Sequence, residues 1–319
     1  ALGVKGEYIM PDVKEVVLFS SAHNTPEETA QIIKKCSLFE LHPTTIKRAI
    51  ENAGALIEEH KGSIRENVNR AVSKQENTGE VVVCSMDGVN VLLNEKGKKK
   101  GRPAERPVKD RVLNVSAYKN AMCGSISYYK KVDINGKAST ERESSKYIAR
   151  MPERYSTFKA EFEEQIRDIK RQNIQPRVKI LITDAHKSIM GYLGNNPLFD
   201  DFERLIDYYH AAEHLSLLSE AIFGKSCEKA REWYLKYASK LKYSKDGLAQ
   251  LIRSASYYTK KNKLSKERLK EAQKQVNYFK RNGKYMEYHR FIENGWPIGS
   301  GVIEAACKSV VKQRMCRSG

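Results

Sequence analysis

Apolar positions recur at helical spacing through roughly the first 75 residues of the chain. Pro11 suits the first turn of a helix, and the apolar stripe that follows it consists of Val13, Val16, Val17 and Phe19. The stripe predicts an amphipathic helix, and helical patterns continue behind it. We therefore predict an N-terminal helical region over residues 1–78.

Two further helix starts are predicted within this region. Thr25 and Glu28 have the three-residue spacing of a capping box. After a short break, Pro43 opens a helix whose first two turns carry Thr44, Thr45, Lys47 and Arg48. A helix, a short turn and a second helix that starts with polar and basic residues are typical of a helix-turn-helix, so we predict that these four residues contact DNA. A small helical bundle that touches no DNA would give the same pattern.

The pattern then changes to short β-branched runs. Residues 81–86 and 178–183 are mostly apolar, β-branched runs typical of buried strands, and residues 112–117 and 124–132 are also strand-like. Residues 156–171 carry apolar side chains at three- and four-residue spacing, which predicts a helix. The order strand, strand, strand, helix, strand predicts an α/β domain with a mixed sheet.

The last part of the chain is predicted to be helical, interrupted by one turn. Residues 208–290 hold few prolines and glycines and many Lys, Glu, Ala and Leu. Residues 296–301 (WPIGSG) form a turn that opens a final helix from Val302. The predicted domains are an N-terminal helical region (1–78), a sheet domain in two parts (79–207 and 293–319) and a helical insertion between them (208–292).

The charge balance of the chain indicates what kind of partner it binds. The 319 residues include 57 Lys plus Arg and 39 Asp plus Glu, a net charge of +18, which points to a polyanionic partner. No apolar run reaches the roughly 18 residues that span a bilayer, and there is no signal-peptide pattern. The six cysteines form no CxxC pair, which disfavours zinc ribbons and a disulfide-stapled secreted fold. We expect a reducing, cytoplasmic compartment.

Three carboxylates occupy positions suited to metal binding. Asp87 and Asp184 directly follow the two buried runs, and Glu304 lies in the first turn of the last helix. Carboxylates at the carboxyl ends of adjacent strands converge on one crevice, and hard divalent cations such as Mg²⁺ prefer oxygen ligands. Two such ions can activate the attacking oxygen and stabilise the leaving oxygen in phosphodiester chemistry.

Each of these carboxylates also has a simple structural explanation. Asp87-Gly88 is a hairpin-turn dipeptide, Asp184 can cap a following helix, and Glu304 can pair with Lys308 four residues later. Taken singly, these explanations are favoured. The combination of all three carboxylates in a strongly basic chain favours the metal site.

Five stretches of the sequence resemble one protein family. They are residues 83–88 (VCSMDG), 181–184 (LITD), 207–215 (DYYHAAEHL), 296–308 (WPIGSGVIEAACK) and 312–319 (KQRMCRSG). They are similar to the DDE, ribonuclease H-like transposases of bacterial insertion sequences, and most of all to the Kra group, which lies near the Mutator-like and hAT-like transposases. The resemblance covers roughly residues 80–319.

The resemblance implies an RNase H-like mixed sheet with flanking helices, interrupted by an all-α insertion and preceded by a helix-turn-helix-like region. It implies that Asp87, Asp184 and Glu304 are the catalytic carboxylates and hold two Mg²⁺ or Mn²⁺ ions. The helical insertion accounts for the long separation between Asp184 and Glu304. Asp207 and His210 match the family's Asp/Cys-x-x-His signature at the start of the insertion, which implies a supporting role in the active site.

The implied function is DNA transposition, in which phosphodiester hydrolysis at the transposon ends is followed by strand transfer to target DNA. The implied partners are double-stranded DNA (terminal inverted repeats and target) and a second copy of the chain, and the implied location is the bacterial cytoplasm at the nucleoid. A catalytically inactive, domesticated DNA-binding protein would keep the same fold. Ala185 follows Asp184 where relatives often have Gly, and the chain stops within the family's final motif, so we expect that part of the native protein is missing.

Residues 210–214 (HAAEH) match the HxxEH pattern of inverted zinc peptidases. The pattern places His210 and His214 on one helix face together with Asp207, so a zinc site is chemically feasible there. A five-residue pattern recurs by chance, however, and it explains neither the basic charge nor the strand-end aspartates. A zinc peptidase is therefore a minor alternative.

Basic segments supply further predicted DNA contacts. A loop with a Gly-Arg-Pro core, which resembles a minor-groove hook, carries Lys98, Lys99, Lys100 and Arg102. The last helix and the residues beyond it carry Lys308, Lys312 and Arg314. The Lys- and Tyr-rich insertion can bind phosphates and stack on exposed bases. The alternatives are a solvated loop for the first segment and an amphipathic bundle with a lysine-rich outer face for the insertion.

Overall fold

The computed structural model describes residues 9–36, 40–74, 80–92, 118–150, 155–171 and 176–313. These residues form two compact units, one within Ala1–Asn77, Val89–Asn120 and Cys307–Gly319 and the other within Thr78–Gly88 and Ala121–Ala306. None of the described helices is long and apolar enough to cross a membrane. Several predictions fall outside the described residues, namely the strand at 112–117 and the DNA contacts Lys98, Lys99, Lys100, Arg102 and Arg314. The predicted domain ranges remain predictions.

The described N-terminal part is helical, as the apolar pattern predicts. It consists of α1 (Pro11–Ser21), α2 (Pro26–Cys36), α3 (Pro43–Glu59) and α4 (Lys61–Lys74). The capping box is confirmed, because the Thr25 N–H donates to Glu28 Oε2 (2.8 Å) and the Glu28 N–H donates to Thr25 Oγ1 (3.2 Å). The first three helices pack around a small core of Val17, Ile33, Ile46 and Ala49.

Within the described residues the sheet has five strands in the order β3-β2-β1-β4-β5. They are β1 (Val81–Leu92), β2 (Tyr118–Ile134), β3 (Lys137–Arg150), β4 (Val178–Thr183) and β5 (Glu203–Ile206). β4 pairs in parallel with both β1 and β5, whereas β2 and β3 are antiparallel. This mixed sheet with helices against both faces is the RNase H-like fold that the sequence predicts.

The sheet separates two hydrophobic cores. On one face, Val82, Cys84 and Met86 of β1 pack with α5 (Tyr155–Arg171) and α6 (Lys187–Gly194). On the other face, Val81 and Val83 pack with the helices that follow β5. These are α7 (Tyr208–Phe223), α8 (Glu228–Tyr243), α9 (Gly247–Lys261), α10 (Lys266–Asn282) and α11 (Tyr288–Glu293). The last elements that the structure describes are α12 (Gly301–Ala306) and a π-helical segment, Cys307–Lys312.

Two strands of the sheet were missed by the pattern analysis. β3 carries few buried side chains, so an apolar run could not reveal it. The sequence feature that marks β3 is the turn before it. Asn135 (φ 54°) and Gly136 (φ 75°) form a two-residue hairpin loop of the Asn-Gly type. β5 is only four residues long and gives too short a run to recognise.

Candidate active site

Parallel strand pairing aligns two of the predicted catalytic carboxylates. β1 and β4 pair with Val81 opposite Val178, a difference of 97 in residue number that holds along the whole paired segment. Asp87 and Asp184 differ by the same 97, so the register assigns them matching positions when it is extended three residues beyond its last pair, Cys84 and Leu181. On that extended register the two residues would be neighbours, because adjacent strands lie about 4.8 Å apart.

The same alignment extends to a third aspartate. β4 and β5 pair with Thr183 opposite Ile206, a difference of 23 in residue number. Asp184 and Asp207 also differ by 23, and the Asp207 N–H donates to the Thr183 carbonyl oxygen at 3.0 Å. Asp184 and Asp207 are therefore matching positions directly beyond β4 and β5, and the extended β1 register assigns Asp87 to the same line.

The aligned aspartates share a face of the sheet. Val83 and Ile182 belong to the core that packs against α7–α11. Side chains alternate along a strand with a period of two, so Asp87 and Asp184 point to that same face. Both aspartates are half-buried.

The structure corrects the predicted position of Asp87. This residue does not follow β1 but lies inside it, because the strand continues to Leu92. Val89 and Val91 are buried and continue the alternation beyond Asp87. The hairpin-turn explanation for Asp87-Gly88 is therefore wrong.

Local hydrogen bonds orient both carboxylates. Asp87 Oδ1 accepts from the Gly88 N–H at 2.6 Å, and Asp184 Oδ1 accepts from the His186 N–H at 3.1 Å. The N-cap of α6 is His186 and not Asp184, so the helix-cap explanation for Asp184 is wrong as well. Asp184 is the first residue beyond β4, which matches its predicted place at the end of a strand.

Asp207 joins two segments that are far apart in sequence. Its side chain is buried, with 1% exposure, and Oδ1 accepts from the His210 N–H at 2.9 Å as the N-cap of α7. Oδ2 accepts from the N–H of Ser300, in the turn before α12. A further link connects the same segments, because the Tyr208 N–H donates to the Ile298 carbonyl oxygen at 2.9 Å.

Glu304 is tied to this turn. It is an exposed residue of α12, and its Oε1 accepts from Ser300 Oγ at 3.3 Å. The turn lies close to the start of α7, since a Cβ at Gly299 would lie 2.8 Å from the Tyr209 ring and 3.8 Å from Asp207 Oδ2. A chain of contacts thus runs from Asp207 through Ser300 to Glu304.

The hydroxyls of Tyr278 and Tyr288 are buried and have no hydrogen-bond partner among the residues that the structure describes. Burial raises the pKa of Tyr278, and the negative charges of Asp184 and Asp207 raise it further. Burial also raises the pKa of Tyr288, with smaller contributions from Tyr278 and Asp207. Both hydroxyls are therefore neutral donors, and pattern analysis gave no signal for either.

The HxxEH segment is not arranged as a zinc site. The His214 ring stacks on Tyr278 with 3.6 Å between centroids, and His214 Nδ1 lies 2.6 Å from Gln275 Oε1. The imidazole of His210 is perpendicular to that of His214, and its Nδ1 lies 3.6 Å from Glu213 Oε2. These contacts engage both rings, so nothing in the geometry favours the zinc peptidase.

Of the three predicted metal ligands, Asp87, Asp184 and Glu304, the two aspartates suit a divalent cation. Within the described residues, no three His, Cys, Asp or Glu side chains lie close enough together to hold one metal ion. Asp87 and Asp184 nevertheless hold matching positions on the extended β1–β4 register, and each offers carboxylate oxygens. Mg²⁺ is often held by one or two carboxylates while water and substrate phosphate complete its shell. The pair suits Mg²⁺ or Mn²⁺, whereas Glu304 is not assembled with it in this arrangement.

The predicted DNA contacts of α3 lie at the start of that helix. Ile46 and Ala49 face the small core, and Thr45 is half-buried. The exposed residues of these turns are Thr44, Lys47 and Arg48. In the π-helical segment Cys307–Lys312, Lys308 and Lys312 are exposed.

No protein-family model and no curated protein matches the chain. Among solved structures it is similar to the Drosophila P element transposase strand transfer complex, with 13% identity and a TM-score of 0.31 over 87% of this chain and 65% of that chain. It is also similar to a pre-cleavage Mos1 transpososome (12% identity, TM-score 0.17, 87% of this chain and 81% of that chain) and to the Mos1 strand transfer complex (11%, 0.18, 89% and 81%). The chain thus spans less than two thirds of the P element transposase chain. At these scores the likenesses establish no function, and the assignment below rests on the sheet and its aspartates.

Proposed function

We propose that this protein is a DDE-type DNA transposase that cuts DNA at transposon ends and joins the freed ends to target DNA. The observation that carries the proposal is the alignment of Asp87 and Asp184 on adjacent parallel strands of an RNase H-like sheet. The β1–β4 register, extended to both carboxylates, supports an oxygen-donor site of the kind that phosphodiester chemistry needs. The net charge of +18 supports a DNA substrate.

Each residue has a stated role in this proposal. Asp87 and Asp184 hold two Mg²⁺ or Mn²⁺ ions, and Glu304 completes the set once substrate is bound. When bound, these ions activate the attacking oxygen and stabilise the leaving oxygen. Asp207 positions Glu304 through its bond to the Ser300 N–H, and the backbone of His210 holds Asp207 in place.

DNA contacts outside the carboxylates supply binding affinity and fix the position of the protein along the duplex. We assign terminal-repeat binding to the start of α3, with Thr44, Thr45, Lys47 and Arg48. Phosphate contacts are assigned to Lys98, Lys99, Lys100, Arg102, Lys308, Lys312 and Arg314. Pairing two transposon ends requires at least a dimer of the chain, which light scattering of the purified DNA complex would detect.

The test is divalent-cation-dependent cleavage of DNA that carries the element's ends. Asp87→Ala and Asp184→Ala should each lower the rate about 10³-fold or more, as expected when one member of a catalytic unit is removed. Asp200→Ala is the matched control, because Asp200 is an exposed aspartate at the end of a short 3₁₀ segment and has no assigned role in the site. Equal rates for the three variants would overturn the proposal.

A second candidate is a catalytically inactive DNA-binding protein of transposase origin. It is favoured by the finding that, among the described residues, Glu304 does not join the two aspartates in a three-ligand group. Binding of end DNA without cleavage, at any Mg²⁺ or Mn²⁺ concentration, would support it. Calorimetric titration of Mn²⁺ separates the two candidates, because the transposase should lose Mn²⁺ binding in Asp184→Ala.

A further inference from the structure

Helices α8 and α9 leave a groove between them that the proposed chemistry does not use. Its volume is about 530 Å³, within the range of sites that bind small ligands (roughly 300–1,000 Å³). It lies in the helical insertion, within the same compact unit as the sheet. Its main lining residues are Trp233, Lys236, Tyr237, Arg253, Tyr257 and Tyr258.

Aromatic rings form the walls of this groove. Trp233 is 6% exposed, and its indole N–H donates to Ser254 Oγ at 2.9 Å, which fixes the ring. Tyr237 packs beside it with 4.7 Å between ring centroids. At the outer side, Tyr257 is 56% exposed and lies edge-on to Tyr258. The groove therefore combines rigid inner rings with one exposed ring that can accept a planar group.

The charges around the groove are positive. The charged lining residues are Lys236 and Arg253, and Lys261 Nζ lies 5.4 Å from the centroid of the Tyr257 ring. Residues 228–261 contain nine Lys or Arg and three Asp or Glu. An anionic ligand with a flat ring complements this surface in both charge and shape.

We propose that this groove binds an unpaired nucleotide of single-stranded DNA, with the base stacked on Tyr257 and the phosphate held by Lys236 and Arg253. Stacking platforms flanked by cations are how proteins bind single strands without sequence preference. A base inside a duplex has both faces covered by its neighbours, so the groove selects unpaired nucleotides. The inference extends the proposed transposase function, because strand cleavage exposes unpaired nucleotides next to the break.

Acidic peptides share the negative charge of DNA but not its flat bases. The exposed face of Tyr257 favours a base, because stacking on an aromatic ring stabilises a nucleotide and gives little to a glutamate side chain. An acidic protein partner is therefore an alternative that competition can test directly.

The test uses the two tryptophans of the chain, Trp233 and Trp296. In a Trp296→Phe background, fluorescence reports on Trp233 alone, at the groove wall. Titration with a short oligothymidylate, without divalent cation, should quench this signal saturably. In the reciprocal variant Trp233→Phe, the same titration should leave the signal of Trp296 unchanged.

Groove variants should weaken oligothymidylate binding while matched surface variants should not. We expect about a fivefold or greater loss of affinity for Tyr257→Ala and for Arg253→Ala, from loss of the stacked ring and of the phosphate contact. The controls are Tyr243→Ala, an equally exposed tyrosine of α8, and Arg231→Ala, an exposed arginine of α8; both residues lie outside the groove lining.

Two outcomes would overturn the inference. One is equal affinity of the groove variants and their controls. The other is that polyglutamate and polyphosphate displace the bound oligonucleotide as effectively as unlabelled oligothymidylate does. Negative charge alone would then account for binding. Both measurements omit divalent cations, so they are independent of cleavage. Failure of the transposase proposal would appear instead as unchanged cleavage in Asp184→Ala.

Discussion

The N-terminal helices and the sheet with its insertion satisfy their polar groups in different ways. In the helices the hydrogen bonds are local, as between Thr25 and Glu28. In the sheet unit they span long stretches of chain, 93 residues for the bond between Ser300 and Asp207 and 155 for the bond from Thr140 Oγ1 to the Gly295 carbonyl oxygen. Among the described residues, the core of α1–α3 has four buried apolar side chains, whereas the sheet carries a large core on each face.

This difference predicts how each region responds to substitution. A local bond can be lost while neighbouring contacts in sequence keep the helix in place. A long-range bond holds two distant segments together, so its loss affects both segments at once. We therefore expect large effects in the sheet unit and small effects in the N-terminal helices.

The largest effect on stability is expected from Gly295→Ala. Gly295 has φ 70°, and an added Cβ would lie 2.5 Å from the backbone of Ala138 and Ser139. Left-handed backbone alone costs an L-residue about 1–2 kcal/mol, and the contact with rigid backbone adds to it. We expect a loss of about 3 kcal/mol in the free energy of unfolding, measured by urea denaturation and followed by tryptophan fluorescence. A loss below about 1 kcal/mol would show that the turn moves freely.

Asp207→Ala should have the next largest effect. It removes a helix cap, worth about 0.5–2 kcal/mol, and a charged acceptor from the buried Ser300 N–H, worth about 1.5–3 kcal/mol. These two losses sum to about 2–5 kcal/mol, and we expect the lower part of that range, about 2–3 kcal/mol, in urea denaturation. The matched control is Ser265→Ala, the N-cap of α10, whose hydroxyl has local partners: it accepts from the Arg268 N–H and bonds to the Glu267 side chain. Similar losses for the two variants would mean that the link to Ser300 contributes nothing.

Gly54→Ala should stabilise the N-terminal helices. Gly54 lies inside α3, and an added Cβ would meet nothing within 4 Å. Alanine is favoured over glycine in a helix interior by about 0.5–1 kcal/mol. Hydrogen exchange of the α3 amides should therefore slow about two- to fivefold. The same substitution has opposite signs at Gly54 and Gly295, so faster exchange in α3 would contradict the comparison.

The smallest effect is a pH dependence centred on His214. Burial lowers the pKa of His214, and the positive charges of His210 and Lys274 lower it further, while Gln275 and Glu213 act in the opposite direction. As the pH falls, His214 therefore takes up its proton at a higher pH in the unfolded chain than in the folded chain. Stability is full above the unfolded pKa of about 6.5 and falls as the pH drops from there toward the folded value.

His214→Phe tests this dependence, because it keeps an aromatic ring against Tyr278 but cannot titrate. The decrease in unfolding free energy between pH 7.5 and pH 5.5 should be smaller in the variant, as measured by urea denaturation at about these two pH values. An unchanged slope would contradict a titrating His214.

Much of the fold follows from the sequence because local patterns encode it. The capping box at Thr25, the helix α5 and the buried strand β4 are each determined by residues within one segment, and all three are confirmed. β3 was missed because an exposed polar strand depends on its partner, although Asn135-Gly136 marked its turn.

In the candidate site, too, some features follow from the local sequence and others depend on packing. The residue types at Asp87, Asp184 and Glu304 are enough to suggest a metal site, but the position of Asp87 within β1 depends on burial of Val89 and Val91, which only packing decides. Register likewise arises from pairing between strands distant in sequence, so a single segment cannot specify it.

By itself, the sequence determined most helices, the buried strands and the basic charge, and it suggested the candidate carboxylates, because each depends on composition or on neighbours in the chain. Only the tertiary structure decided that Asp184 and Asp207 are matching positions beyond β4 and β5, that Asp207 binds the turn before Glu304, and that aromatic and basic residues of α8 and α9 share a groove. These features depend on contacts between segments far apart in the chain, which form only when the hydrophobic faces of those segments are buried together.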